Sequence, residues 1–357
     1  MPLSTYQTSR PRFRVFFGGP DLKPRLLRDL LEARISAVPA GGEIFWATYY
    51  FRDVALADAL IQAKERGARV SLTLEANPRT ARTNIPVLSI LQRADTLAAG
   101  CRPLMHRCPD NLLWKKPLLH LKLYYFSHPK PHVLIGTFNP SGNQPEDPQV
   151  IEEIGDQDRG HNYLVEIVDS RLVAPLREHL LMLHTGPHGP WERLLPRNNR
   201  VISADDSRIY LFPRLRRDVL HQKLLTLPKG TTLRMAISHL NDKRIGITLL
   251  QLARRGVLIK ILAHDTERRV PGWMEELFDG QLDFRRYRHP QDLPMHNKFI
   301  LIESHHRREV LFGSMNLSKS SLHANHELLV ASSDLYLYDA FHTRWEKMIN
   351  ETEAMPS

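Results

Sequence analysis

His120-Leu121-Lys122 and His296-Asn297-Lys298 each set an imidazole and an ammonium two residues apart, which on an extended chain places both on one face. Behind each comes a small turn and an amide, Gly136-Thr137-Phe138-Asn139 and Gly313-Ser314-Met315-Asn316, with His-to-Asn separations of 19 and 20 residues. These residue types suit phosphodiester chemistry. Such a reaction needs the phosphoryl oxygens neutralised, a nucleophile supplied and the leaving oxygen protonated. Lys122, Lys298, Asn139 and Asn316, with the backbone of Gly136-Thr137 and Gly313-Ser314, are the expected phosphate cradle. One neutral imidazole attacks phosphorus while the opposite imidazolium gives its proton to the leaving group, and an ordinary pKa near 6.5 suits both tasks. No metal or cofactor is required. The two cysteines, Cys101 and Cys108, are wrongly spaced for a thiolate zinc site, and His128, His132, His305 and His306 are expected as solvated hairpin residues.

A solitary His-x-Lys says little. His221-Gln222-Lys223 has the same short pattern, but no Gly-Ser-x-Asn follows it and it falls within a helical pattern, so it is set aside. The other two gain weight from the scaffold around them. Residues 24–75 align without a gap on residues 213–264 at a constant offset of 189, pairing Pro24, Arg25, Arg28, Asp29, Asp53, Gln62, Arg66 and Gly67 with Pro213, Arg214, Arg217, Asp218, Asp242, Gln251, Arg255 and Gly256. The chain is thus an internal duplication. Each copy predicts a helix, a strand, a second helix closed by Gly67 or Gly256, and a strand parallel to the first. A hairpin then carries His-x-Lys on one strand and the Gly-containing turn at the end of the next. The expected fold class is α/β, with an N-terminal half over 1–190, a C-terminal half over 200–350 and a Pro/Gly-rich linker over 184–200.

The paired motifs on a doubled α/β scaffold resemble the phospholipase D superfamily from about Pro24 to about Trp345. That resemblance implies two mixed sheets flanked by helices, related by a pseudo-twofold axis, with both motifs facing one site. It implies His120 as nucleophile and His296 as acid, although the reverse assignment uses the same residues. The sequence departs from the family pattern in two places. Five residues after each lysine, where the family has Asp, stand Ser127 and Glu303, the latter expected in a supporting role. The family's Asn-x-Glu, which orients a histidine, matches Asn325-His326-Glu327; the first half has Asn162-Tyr163-Leu164, and Glu166 is offered as its substitute. The segment 144–160, acidic and confined to the first half, is expected as a loop beside the anion site, able to serve as a lid.

Composition narrows the partners. With 357 residues, 42% hydrophobic and 25% charged, disordered and fibrous classes are excluded, and the net charge of +10 favours anions. The absence of any long apolar run predicts a cytoplasmic chain, with peripheral membrane association as a companion expectation. Trp114-Lys115-Lys116 and Trp273 precede the two motifs and read as core or as a lipid-facing rim. Three functions follow: phospholipid hydrolysis or phosphatidyl transfer, favoured by the two complete motifs; a metal-independent nuclease, favoured by the charge; and an inactive anion-binding module. Oligomeric state is not legible.

Overall fold

The computed structural model describes residues 12–106, 117–142, 147–186, 188–189 and 191–354. Seven strands form the first sheet: β1 (Phe13–Gly18), β2 (Glu43–Thr48), β3 (Arg69–Glu75), β4 (Cys101–Leu104), β5 (Lys122–Phe126), β6 (His132–Gly136) and β7 (Asn162–Ile167), in the order β1-β7-β6-β5-β2-β3-β4. Eight more form the second: β8 (Val201–Ala204), β9 (Ser207–Phe212), β10 (Thr232–Ile237), β11 (Leu258–His264), β12 (Asp283–Tyr287), β13 (Lys298–Ser304), β14 (Arg307–Gly313) and β15 (Glu327–Ser332). Their order, β12-β11-β10-β13-β14-β15-β9-β8, repeats the first sheet and adds β8 at one edge. Both sheets are mixed: β2 runs parallel to β3 and antiparallel to β5, as β10 does to β11 and β13.

The duplicated residues do the same local work in each copy. Asp53 caps the helix Val54–Glu65 by accepting from Leu56 N–H at 2.8 Å, and Asp242 caps Lys243–Arg254 by accepting from Ile245 N–H at 3.0 Å. Each helix then stops at a glycine with positive φ, +94° at Gly67 and +85° at Gly256. These stops aim the following strand into a parallel pairing, which leaves the ends of β2 and β10 beside the two His-x-Lys segments.

One apolar core joins the halves. Phe45, Leu123 and Val165 of the first sheet pack in one cluster with Leu301, Val310, Leu328 and Val330 of the second, under the helices Ser170–Thr185 and Leu335–Ala354. A separate cluster lies under the outer helices of each half. The segment 184–200, expected as a linker, carries two short helical turns, Glu192–Leu194 and Pro196–Asn199, and buries His188, Glu192 and Asn198. No helix among the described residues is long and apolar enough to cross a membrane.

Candidate active site

Each half ends its motif strand on the other half. Leu119 pairs with His326 and the His120 N–H donates to the His326 carbonyl at 3.0 Å; reciprocally His161 pairs with Met295 and the His296 N–H donates to the His161 carbonyl at 3.0 Å. This exchange is what a twofold relation between the halves produces. It brings His120 and His296 to the wall of one cavity of about 640 Å³, together with Asn139 and Asn316.

The residue after each bridging histidine holds the opposing ring. Glu327, fully buried, stands 2.8 Å from His120 Nδ1, somewhat off the ring N–H direction. Its two oxygens also accept from the hydroxyls of Ser314 and Ser321. Asn162 takes the matching place in the first half: its Oδ1 faces His296 Nδ1 at 2.9 Å while its Nδ2 donates to the Gln157 carbonyl at 2.7 Å. That second bond assigns Oδ1 as the acceptor, so His296 Nδ1 carries the proton. In both halves Nε2 is left for the cavity.

The sequence register for this element therefore needs correcting by two residues. Asn162 corresponds to Glu327, not to Asn325, and the first half has an amide where the second has a carboxylate. Glu166 is no substitute: four residues along β7 it is held by Arg14 at 2.7 Å and Arg34 at 2.8 Å, at the far end of the strand. Glu303 is likewise remote, paired with Arg234 at 2.9 Å and Arg308 at 3.1 Å where β13 turns into β14.

The phosphate cradle also shrinks. Thr137 N–H donates to the Tyr163 carbonyl and its hydroxyl accepts from Tyr163 N–H, both at 3.1 Å. Ser314 N–H donates to the Leu328 carbonyl at 3.2 Å, and its hydroxyl accepts from Leu328 N–H at 3.1 Å. Gly136 and Gly313 are required by the neighbouring strand: a Cβ on either would lie 2.2 Å from the Tyr163 carbonyl oxygen or 2.3 Å from that of Leu328. These four residues build the strand ends and offer nothing to an anion. Asn139 and Asn316 do line the cavity; Asn139 is anchored by the Tyr50 N–H and Gln157, and Asn316 Oδ1 is buried without a hydrogen-bond partner.

Lys122 and Lys298 each fold back, Nζ donating at 2.8 Å to the carbonyl of their own motif histidine. Burial pushes Lys122 down to about 7, against the opposing pull of Glu327, and pushes Lys298 well below its ordinary value, reinforced by Lys122 and Arg269. The histidines follow. Burial takes His120 down to about 4, with Glu327 pulling upward, while His296, lacking a carboxylate, is held well below 6.5 by burial and by Lys298, Lys122, Arg269 and His120. The site is a cluster of cationic groups whose protons are destabilised until an anion arrives.

Arg269 escaped the sequence reading. Its side chain is buried and lines the cavity, yet only one bond is made, Nη2 to the Ile154 carbonyl at 3.2 Å, leaving Nε and Nη1 unpartnered. Burial lowers it to about 10. No motif marks it, since it lies on the stretch between β11 and the helix Gly272–Phe278. Arg269→Ala should raise KM for a phosphodiester roughly 10- to 100-fold through loss of a charge-assisted contact. The same change should raise Tm, because it deletes a buried cation that makes no close ion pair among the described residues; a lowered Tm with unchanged KM would show a structural arginine.

The remaining sequence candidates fall elsewhere. His221 lies on the helix Val219–Leu225 against Arg244, away from the cavity. His305 and His306 are exposed on the β13–β14 hairpin, whereas His132, expected in solvent, is buried at the start of β6. Of the 144–160 segment, the helix Pro148–Ile154 and Gln157 supply a cavity wall through Ile154 and Gln157. Trp273 is 40% exposed on its helix, and Trp114-Lys115-Lys116 lie outside the described residues.

The asymmetry between Glu327 and Asn162 is testable by pH. Asn162→Asp would set a carboxylate beside His296 Nδ1 and stabilise its protonated form, so the alkaline limb, where His296 loses the proton it must donate, should move upward by roughly 1 to 3 pH units. Limb position reports this even where folded yield falls. A profile that stays put would remove His296 from the acid's role.

Comparisons with known proteins agree with this architecture. The family model described as cardiolipin synthase, phospholipase D-like domain, matches residues 222–349. No curated protein matches the chain. Among solved structures, phosphatidylserine synthase of Haemophilus influenzae Rd KW20 superposes with a TM-score of 0.68 at 13% identity, covering 96% of this chain and 86% of that one. Polyphosphate kinase of Porphyromonas gingivalis gives 0.61 at 13% identity over 94% of this chain, which spans only 50% of the kinase. Yeast tyrosyl-DNA phosphodiesterase gives 0.51 at 11% identity, over 90% and 89% of the two chains. At these identities the superpositions speak for the fold. The family model places residues 222–349 in a phospholipase D-like domain, and the superpositions and the doubled topology extend the same fold to the first half.

Proposed function

We propose that this chain is a phosphodiester hydrolase or phosphatidyltransferase acting on phospholipids through a phosphohistidine. The observation that carries this reading is the convergence of two histidines from opposite halves on one cavity, each held through Nδ1 by the half it does not belong to. His120 Nε2 attacks phosphorus, and the positive charge that forms on its ring is stabilised by Glu327. The bond from phosphorus to the leaving oxygen breaks as His296 gives that oxygen its proton; a ring backed only by an amide and surrounded by cations releases it readily. In the second step water or an alcohol loses its proton to His296 and attacks phosphorus, and the P–N bond breaks with its electron pair returning to His120. Water gives hydrolysis and an alcohol gives transfer. Lys122, Lys298, Asn139, Asn316 and Arg269 balance the phosphoryl oxygens.

A lipid substrate is favoured by the cavity's apolar side, built from Tyr49, Tyr50, Leu118 and Ile154, and by the lipid enzymes named among the matched family and the structural neighbours. A nuclease is the second reading, because Arg79, Arg268 and Lys319 line the same cavity and an arginine-rich rim suits a phosphate backbone. The deciding experiment presents labelled phosphatidylglycerol, phosphatidylcholine with an alcohol, and single- and double-stranded DNA, in buffer without added divalent ions. Lipid consumed with DNA intact supports the proposal; DNA cut with both lipids untouched replaces it with the nuclease.

A further inference from the structure

Next to His120, joined to it through the His326 carbonyl that accepts its N–H, lies a second cluster of chemistry-bearing groups lining a separate cavity. His106 follows β4, Glu192 opens a helical turn in the segment between the halves, and His326 is the residue that bridges to Leu119. One ligand atom of each lies within 4.8 Å of the others. All three line a cavity of about 30 Å³, together with Arg193 and His323, room for a single ion or water.

The nitrogens lack the bonds that buried nitrogens normally make. His106 Nε2 and both nitrogens of His326 are buried without a hydrogen-bond partner. His326 Nε2 stands 3.2 Å from Glu192 Oε2 and is not aligned to donate to it. Two ligands at about 2.0–2.2 Å from a tetrahedral ion stand roughly 3.3 Å apart, so this spacing, without the alignment of a hydrogen bond, is the one a shared ion would impose. The carboxylate is also supported as metal-bound carboxylates are. His188 Nδ1 faces the carboxylate, 3.2 Å from Oε1 and 3.4 Å from Oε2, and its Nε2 is 2.9 Å from the Leu183 carbonyl; Arg197 lies 3.9 Å from Oε1, and Asn198 Nδ2 donates to the Glu192 backbone carbonyl at 3.0 Å.

We propose that His106, Glu192 and His326 form a binding site for a zinc-type divalent cation, a staple joining the two halves beside the reacting centre. Two imidazoles and a carboxylate are a borderline ligand set suited to zinc, with a fourth position open to water. The ion would fix His326, whose carbonyl accepts from the His120 N–H at 3.0 Å and whose neighbour is Glu327. It takes no part in the reaction itself; it positions the pair that does. The ligands come from three distant parts of the chain, so no spacing motif announces them.

Tag-free full-length protein is stripped with a chelator, reloaded with Zn²⁺ or Co²⁺, and examined by metal analysis, visible absorption and thermal unfolding. The site predicts about one zinc per chain, a Tm that climbs with free Zn²⁺, and Co²⁺ bands of a nitrogen and oxygen set without thiolate charge transfer. His106→Ala and Glu192→Gln should each weaken zinc binding at least about 100-fold, whereas His305→Ala with His306→Ala leaves it intact. Folded wild-type protein that takes up no zinc overturns the proposal, as does a cobalt–thiolate band. So does zinc that survives both ligand variants; the wild-type cobalt spectrum decides if those variants fail to fold.

Discussion

His120→Ala and His296→Ala should each lower turnover of a phospholipid by roughly 10,000-fold or more, since histidines that act as a unit in double displacement fail together. An aryl phosphodiester separates them. Its leaving group departs without a proton, so the His296 variant should still form the covalent intermediate and then stall, lacking the base that activates water. The His120 variant should release no aryl group. Rapid-quench kinetics read this as a burst of one equivalent in the first case and none in the second. The opposite pattern would exchange the roles, because the cavity presents both rings and only the partners behind them, Glu327 and Asn162, distinguish one from the other.

Glu327→Gln should cost roughly 100- to 10,000-fold in kcat with little change in KM. The carboxylate offers four lone-pair sites to His120 Nδ1, Ser314 and Ser321, and its buried negative charge acts directly on both Lys122 and His120. An amide presents either its oxygen, without the charge that supports the phosphohistidine, or its NH2, which forces the imidazole proton onto Nε2 and blocks attack. Both fail in chemistry and leave binding untouched. A variant that changed KM alone would make Glu327 part of the binding surface, contrary to its full burial behind the ring.

The duplication and its two motifs were legible because they rest on local, repeated requirements. Asp53 and Asp242 must cap, Gly67 and Gly256 must turn, and Gly136 and Gly313 must let a neighbouring strand approach; each constraint acts on nearby backbone and leaves a residue at a fixed offset. The same glycines were misread as phosphate donors, since a Gly-Ser sequence looks alike whether its N–H groups face an anion or a strand. Partners between the halves were harder to find. Asn162 was paired with Asn325 by letter, while the exchange of His161 and His326 across the interface fixes it opposite Glu327. Arg269 and the His106, Glu192 and His326 cluster had no signal at all, because their meaning arises only when distant segments pack together.

The proposed mechanism makes two displacements at phosphorus, the first by an imidazole and the second from the opposite side by water or alcohol. A substrate made chiral at phosphorus with sulfur and an oxygen isotope, turned over by the enzyme in the presence of an alcohol, reports this directly. Two inversions sum to retention of configuration, which is the predicted result. An inverted product would mean a single direct attack, with neither histidine ever bonded to phosphorus.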